Sequence, residues 1–309
     1  MTASAKSVKL GTRGSPLALA QAHETRALLI KAHGLAESGV EIIIIKTTGD
    51  MIRDRPLSES GGKGLFTKEL DTALLAGEID FAVHSAKDMP TLMPDGIEIL
   101  GYLPREDVRD VLISAKATSI QGLPQGASFG SASLRRQAQA LRLRPDLKPA
   151  LLRGNVETRL NKVEGGECDC TLLALAGLKR LGLEHRATTI LDIAEFLPAV
   201  GQGAIALTAR SGDAEVSALL GPIFDSDTGH ALAAERAFLR VLDGSCRTPI
   251  AGHARFHHGR LQFRGEIFSK DGSQVFDVSF IGKPEDAARL GEDAGKELLG
   301  RTPEELLAH

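Results

Sequence analysis

An α/β fold with a small α+β region at its C-terminus is what this sequence predicts, on three observations. Short apolar runs alternate with helical patterns as far as the loop at Asp243, the order that builds strand–helix–strand layers. The run Phe81-Ala82-Val83 ends abruptly in His84, Ser85, Lys87 and Asp88, and Pro90 stops the strand, so polar groups gather at a strand end. From Ile250 the apolar period changes to alternation over Ala254–Phe256, Leu261–Ile267 and Val275–Phe280. With turns at His258-Gly259 and Asp271-Gly272, that is an antiparallel three-stranded sheet.

Composition narrows the function. A chain of 309 residues is long enough for two domains or three. The formal net charge is −3, with no Trp and one Tyr, so neither a basic field nor a stacking platform points to nucleic acid. No apolar run reaches a membrane span and the first residues lack the apolar core of a signal peptide. The protein is therefore expected to be cytoplasmic, with no nucleic-acid or membrane partner. Three cysteines in such a chain make no disulfide framework; Cys168 and Cys170 read as small residues flanking a strand.

Taken in order, Ser7–Thr12 reads as the first strand. Arg13 follows, and Ser15 before Pro16 is a helix cap with proline at the first helical position. Arg13 and Ser15 thus stand where backbone N–H groups and the helix dipole favour an anion, although an ordinary turn has the same pattern. Val40–Lys46 is nearly all β-branched, the composition of a strand covered on both faces. Thr47–Gly64 is long, polar and glycine-rich, and reads as a flexible flap carrying Lys63. A helix over Thr67–Ala76 leads into the strand that ends near Asp88. Asp88 is read as the residue doing chemistry; the competing reading is a surface turn. Strands are expected at Ile97–Tyr102 and Val108–Ser114, with a break at Leu103–Asp107 between them.

In Phe129–Arg136, Ser131 and Ser133 are cap candidates and Arg135 and Arg136 fall in the first helical turn. As helix neighbours the two arginines lie about 100° apart and are not expected to point one way. Ala150–Leu152 is a strand leading into Arg153-Gly154-Asn155 and a helix carrying Arg159. Cys168–Leu175 is a buried strand followed by Arg180. Strand, arginine and helix follow one another at Arg13, at Arg135 and Arg136, and at Arg153. On one parallel sheet this would bring the guanidinium groups to a single crevice. Guanidinium clasps carboxylate through two parallel hydrogen bonds, so the pattern predicts a small, carboxylate-rich ligand. Leu197–Gly203 is a second break before a strand at Ala204–Thr208. Phe224–Gly229 is a third, with Thr228 capping a helix to about Leu242. Cys246, in a glycine–serine turn beside Arg247, reads either as an exposed thiol activated by the cation or as a small apolar filler. A helix over Pro284–Leu299 closes the chain.

Several motifs carry a resemblance to a known family. They are T-R-G-S-P-L-A-L-A-Q from Thr12, G-G-K-G-L-F-T-K-E-L from Gly61, A-V-H-S-A-K-D-M-P from Ala82, and S-L-R-R from Ser133. L-R-G-N-V-E-T-R from Leu152, A-G-L-K-R-L from Ala176 and P-A-V-G-Q-G-A from Pro198 continue the series. In order and spacing the chain resembles the porphobilinogen deaminase (hydroxymethylbilane synthase) family over nearly its whole length.

The resemblance implies two periplasmic-binding-protein-like lobes with a double crossover, plus a small C-terminal domain. Domain 1 would be residues 7–103 and 204–223 with the flap at 47–64, domain 2 residues 107–197, and domain 3 residues 225–309. It implies a monomeric transferase that condenses four porphobilinogen molecules head to tail with loss of ammonia. Hydrolysis then releases linear hydroxymethylbilane for tetrapyrrole (haem) biosynthesis. A dipyrromethane cofactor would be attached to Cys246 through a thioether and held by Ser85, Lys87, Ser133, Arg135 and Arg136. Arg13, Ser15, Arg153 and Arg159 would bind substrate with help from Arg180, and Lys63 and Phe66 would belong to the flap. Asp88 would be catalytic. As ammonia leaves, positive charge spreads onto the pyrrole nitrogen, and a carboxylate beside it stabilises that azafulvene more than the ground state.

The cysteine loop reads Ser245-Cys246-Arg247-Thr248-Pro249 where the family usually has G-G-C or G-R-C. Glu59 stands where Lys is common, Thr48 where Arg is, and Ser131-Ala132 replaces Thr-Ser. The second reading kept open is a non-catalytic anion-binding sensor on the same scaffold.

Overall fold

The computed structural model describes residues 7–51, 64–242 and 248–307. In chain order these form β1 (Val8–Arg13), α1 (Pro16–His33), β2 (Val40–Ile45), α2 (Thr48–Met51), α3 (Lys68–Leu75), β3 (Phe81–Ser85) and β4 (Ile97–Tyr102). The next stretch gives β5 (Asp110–Ser114), β6 (Ser128–Gly130), α4 (Leu134–Leu143), β7 (Lys148–Ala150), α5 (Val156–Glu164), β8 (Cys170–Ala174), α6 (Leu175–Arg180) and β9 (Thr189–Ile190). Then come β10 (Ile205–Arg210), α7 (Ala214–Leu220), α8 (Ser226–Val241), β11 (Ile250–His257), β12 (Arg260–Phe268), β13 (Val275–Gly282), α9 (Ala287–Arg301) and α10 (Glu304–Leu307). By chain contacts the protein divides into two compact units. The first holds the described residues up to Arg105 together with Ala204–Gly229; the second holds Glu106–Gly203 and the described residues from His230 onward.

The first unit is built on a five-stranded sheet of order β2-β1-β3-β10-β4. Strand β1 runs parallel to β2 and β3, whereas β10 is antiparallel to both β3 and β4. Residues alternate across β3, so Phe81 and Val83 join Leu10, Leu29 and Leu207 on one face. Ala82 meets Leu70, Leu74 and Ile79 on the other. Helices cover both faces, which is why the strand reads as a continuous apolar run.

The second unit repeats this plan. Its sheet has order β7-β6-β8-β5-β9, with β6 parallel to β7 and β8, and β5 antiparallel to β8 and β9. Strand β5 here holds the place that β10 holds in the first unit. Each is the strand made just after the chain passes from one unit to the other. The chain thus passes between the two five-stranded sheets twice and builds the same sheet order in each. This corrects the expectation of one parallel sheet: the arginines stand on two mixed sheets, Arg13 on the first and Arg135, Arg136 and Arg153 on the second.

Also in the second unit is the antiparallel sheet β11-β12-β13, continuously registered as the alternation predicts. Phe238 of α8 packs on Phe263 with ring centroids 4.8 Å apart. It also lies over Gly265, where a Cβ would meet the ring at 2.5 Å. Glu235, fully buried, accepts hydrogen bonds from the Gly201 N–H at 2.7 Å and the Ala254 N–H at 2.8 Å.

Two local expectations are corrected. Strand β2 is an edge strand with Ile44 56% exposed, because β-branching favours a strand without deciding its place in the sheet. Most of the segment expected as a flap, residues 52–63, lies outside the described residues; before it stands helix α2, whose Gly49 N–H bonds to the Leu65 carbonyl at 3.0 Å. Thr228 does not cap α8: its N–H donates to the Asp225 carboxylate at 2.7 Å, while its hydroxyl accepts from the Arg105 N–H at 3.1 Å.

A methyl group at Gly291 of α9 would sit 2.0 Å from the Ala234 carbonyl oxygen of α8. Gly291→Ala is therefore expected to destabilise the fold by about 1–3 kcal/mol, read as a lowered midpoint in thermal or urea unfolding.

Candidate functional site

In the first unit, Asp88 closes a short 3-10 turn, Ala86–Asp88, directly after β3. The turn is pinned by the Ala86 N–H donating to the Ala204 carbonyl at 3.0 Å and buried on Ala86 and Met89, which leaves Lys87 and Asp88 exposed between them. Arg13 ends the neighbouring strand β1. Its Nη1 lies 4.0 Å from Asp88 Oδ2, with the two side chains 19% and 37% exposed. At that distance and exposure the pair adds little stability and leaves the carboxylate available.

The Arg13 guanidinium lies over the Phe66 ring, 4.1 Å from its centroid. Phe66 comes this close to α2 because residue 49 is glycine; a Cβ there would meet the ring at 2.5 Å. Ser15 caps α1, its hydroxyl accepting from the Ala18 N–H at 3.3 Å. The Ser85 hydroxyl exchanges hydrogen bonds with the Gln21 amide at 2.9 and 3.2 Å. His84, buried under this end of the sheet, has a 3.1 Å hydrogen bond to Thr208 Oγ1. Burial, reinforced by the charge of Arg13, lowers its pKa to about 4, so the ring is neutral at pH 7.

In the second unit, Arg135 and Arg136 both turn to one aspartate. Asp110, at the start of β5, is fully buried, and each arginine is 6% exposed. Arg135 Nη2 donates to Oδ2 at 2.7 Å; Arg136 Nη2 and Nε donate to Oδ1 at 2.7 and 3.2 Å. Backbone carbonyls take further donors: Leu197 O at 2.7 Å from Arg135 and Leu172 O at 2.9 Å from Arg136. This overturns the expectation that adjacent helical arginines diverge. Their stems are long enough for a carboxylate between them to draw both heads in. Despite burial, the two guanidiniums hold the Asp110 carboxyl well below the usual range, while burial lowers the pKa of Arg135 against the opposing pull of Asp110.

Around this pair, Ser133 caps α4 by accepting from the Arg136 N–H at 3.4 Å. Asn155 caps α5, its side chain accepting from the Thr158 N–H at 2.8 Å, and Gly154 before it takes φ 122°, open to glycine. Arg153 and Arg159 flank this turn, both half-buried, with Arg159 Nε donating to the Asn155 carbonyl at 3.4 Å. Arg180, the last residue of α6, donates to the Gly203 carbonyl at 3.1 Å.

The candidate residues therefore form two sets, one on each unit. Cys246 and Lys63 lie outside the described residues. Cys168 and Cys170 are free and buried, and burial pushes the Cys170 thiol up to about 12, so neither suits a nucleophile. No group of metal-ligating side chains occurs among the described residues. A cavity of about 360 Å³ lined by Gln139, Arg142, Arg264, Glu266 and Asp277 contains none of the candidate residues.

Sequence reasoning missed Asp110, Gln202 and Phe196. Gln202 Nε2 donates to Asp110 Oδ1 at 3.1 Å, and the Arg135 guanidinium carbon lies 5.8 Å from the Phe196 ring centroid. A signal for Asp110 existed: a carboxylate opening the buried run D-V-L-I must have a cationic partner, and the cap at Ser133 supplies two. The donors present suit an anionic, carboxylate-bearing cofactor. Two guanidiniums face one carboxylate, and the buried Arg135 Nε has no hydrogen-bond acceptor among the described residues.

The fold and these side chains define a two-lobed α/β protein equipped for an anionic ligand. Residues 8–218 match the family model described as "Porphobilinogen deaminase, dipyromethane cofactor binding domain", and residues 230–300 match "Porphobilinogen deaminase, C-terminal domain". The chain is 59% identical over 295 residues to a porphobilinogen deaminase of Nitrobacter winogradskyi, covering 96% of this chain and 93% of that protein. It is 55% identical over 296 residues to that of Paracoccus denitrificans, covering 96% and 95%. Among solved structures, a periplasmic substrate-binding protein of an ABC transporter from Coxiella burnetii aligns at 18% identity and TM-score 0.43, covering 70% of this chain and 91% of that one. The chain belongs to the porphobilinogen deaminase family.

A histidine held at a pKa of about 4 against an ordinary 6.5 binds fewer protons folded than unfolded. Its contribution is complete above pH 6.5 and is lost as pH falls toward 4, on the order of 3 kcal/mol in all. In urea unfolding from pH 7 to 4, His84→Gln is expected to remove that part of the pH slope.

Proposed function

We propose that this protein condenses four porphobilinogen molecules head to tail, releasing ammonia at each step, and then hydrolyses the linear hydroxymethylbilane free. Family membership over both matched regions supports this reading, and the observation that carries it is Asp88, an exposed carboxylate at a buried strand end with Arg13 4.0 Å away. The carboxylate accepts a hydrogen bond from the substrate pyrrole N–H and stabilises the positive charge that grows there as ammonia departs. Within reach of the leaving amine or the ring carbon, it also moves the proton. Arg13, stacked on Phe66, meets a substrate carboxylate, with Ser15 beside it. Arg153, Arg159 and Arg180 take further carboxylates as the chain lengthens, each pyrrole adding an acetate and a propionate.

A dipyrromethane group attached at Cys246 supplies the primer on which the chain is built. Arg135 and Arg136, with Ser133, Ser85 and Lys87, hold its carboxylates, which accounts for paired arginines buried in a protein of net charge −3. Lys63 belongs to the same reading as a flap residue. We take residues 7–103 with 204–223, 107–197 and 225–309 as three domains, a division supported by one sheet falling in each. The reading includes a cytoplasmic monomer; no helix of the described residues is long and apolar enough to cross a membrane. The sensor alternative has no observation in its favour.

Intact-mass spectrometry is expected to find the purified protein heavier than its sequence by a dipyrrole, an increment absent from Cys246→Ala. Asp88→Ala is expected to fold and to lose turnover by roughly 100- to 10,000-fold; near-normal hydroxymethylbilane formation by this variant would remove Asp88 from the mechanism. Arg135→Leu is expected to purify without the added mass, and normal loading of that variant would refute the carboxylate clamp.

A further inference from the structure

The buried cluster around Asp110 has an arrangement that charge balance alone does not require. A single neutralising contact to either arginine would lower the cost of burial. Here each carboxylate oxygen takes a different guanidinium, and Gln202 adds a third donor to Oδ1 at 3.1 Å. Gln202 Nε2 is itself anchored on the Val108 carbonyl at 2.7 Å, two residues before Asp110. Arg135 is held from a second side by the Leu197 carbonyl at 2.7 Å. Gln139 holds that same residue through both its amide groups, accepting from the Leu197 N–H at 2.8 Å and donating to its carbonyl at 3.0 Å.

Both heads are thereby fixed in direction, although their helix positions would send them apart. Of these three groups two are cationic and one anionic, so one positive charge is left over. The Arg135 Nε–H remains as a donor without an acceptor among the described residues.

We propose that Asp110, backed by Gln202, is the positioning residue of the carboxylate-binding site. It sets the direction of the Arg135 and Arg136 guanidiniums before any ligand arrives, so that the leftover positive charge acts on a ligand carboxylate from a fixed position. A long arginine left free would lose rotamer entropy on binding; one already fixed loses almost none. Arg136 spends its Nε and Nη2 on Asp110, and that edge orients the pair. This rests on the reading that the arginines hold the dipyrrole.

Asp110→Asn keeps the shape and removes the charge. The expected result is a folded protein by circular dichroism whose dipyrrole-loaded fraction, by intact mass, falls roughly tenfold. In the molecules that do load, KM for porphobilinogen rises while kcat holds. A folded variant loaded as fully as wild type, with unchanged KM, overturns the proposal.

Should Asp110→Asn fail to fold, Cys246→Ser decides the question, since it cannot carry the group covalently. Restrained, slowly exchanging Arg135 and Arg136 guanidinium N–H resonances before ligand is added support the proposal. Freely rotating guanidiniums that become ordered only when porphobilinogen is added overturn it. Wild-type protein of unmodified mass sinks the functional reading and this proposal with it, whereas normal loading of Asp110→Asn sinks this proposal alone.

Discussion

One carboxylate with no access to water governs the second unit. A bare aspartate at the start of β5 would not survive burial as an anion, and two bare arginines on α4 would be costlier still. Together they offset most of each other's cost, leaving only the Arg135 Nε–H without an acceptor among the described residues. Asp110 stays ionised because two cations lie on it, and the arginines stay buried because an anion and two backbone carbonyls receive them. The interaction joins β5, the strand made after the first crossover, to the N-terminal turn of α4. It also reaches the second crossover through Gln202. The sheet order, the cap at Ser133 and the segment at Leu197 all have to be in place for it to form.

The first unit handles its charges by the opposite rule. Asp88 and Arg13 stand at the ends of adjacent strands, partly in water, 4.0 Å apart and without a tight bond. On the proposed reading Asp88 stabilises a transient cation, which a carboxylate already neutralised by a tightly bonded permanent cation would do poorly. Rigidity is supplied by neutral neighbours instead: Ala86 and Met89 packed inward, Gln21 on Ser85, and His84 kept uncharged on Thr208. The Arg13 guanidinium also lies over the face of the Phe66 ring. The same strand-end geometry thus supports a locked cationic pair in one unit and an available carboxylate in the other.

Much of this was legible in the residues. The strand at Phe81, the caps at Ser15 and Ser133, the glycine turn at Gly154 and the three-stranded sheet after Ile250 each follow from local rules of period, capping and backbone freedom. Those rules act within a few residues, so sequence carries them directly. The motifs from Thr12 to Ala204 carried the family as well. What failed was long-range. The β-branched run Val40–Lys46 identified a strand but not its place at the sheet edge. The repeated strand–arginine–helix order identified guanidinium groups at strand ends but assigned them to one parallel sheet. Adjacent arginines were read from helix geometry alone, which omits a partner 25 residues earlier in the chain.

By itself, then, the sequence determined the class of fold, the family, and the residue types able to stabilise charge on a pyrrole. It did so because periodicity, capping and motif order are properties of neighbouring residues. Only the tertiary structure decided that two lobes repeat one sheet order. It alone decided, too, that Asp110 draws two guanidiniums together and that Asp88 keeps its distance from Arg13. Ion pairing and burial depend on which distant segments meet, and no local pattern encodes that meeting.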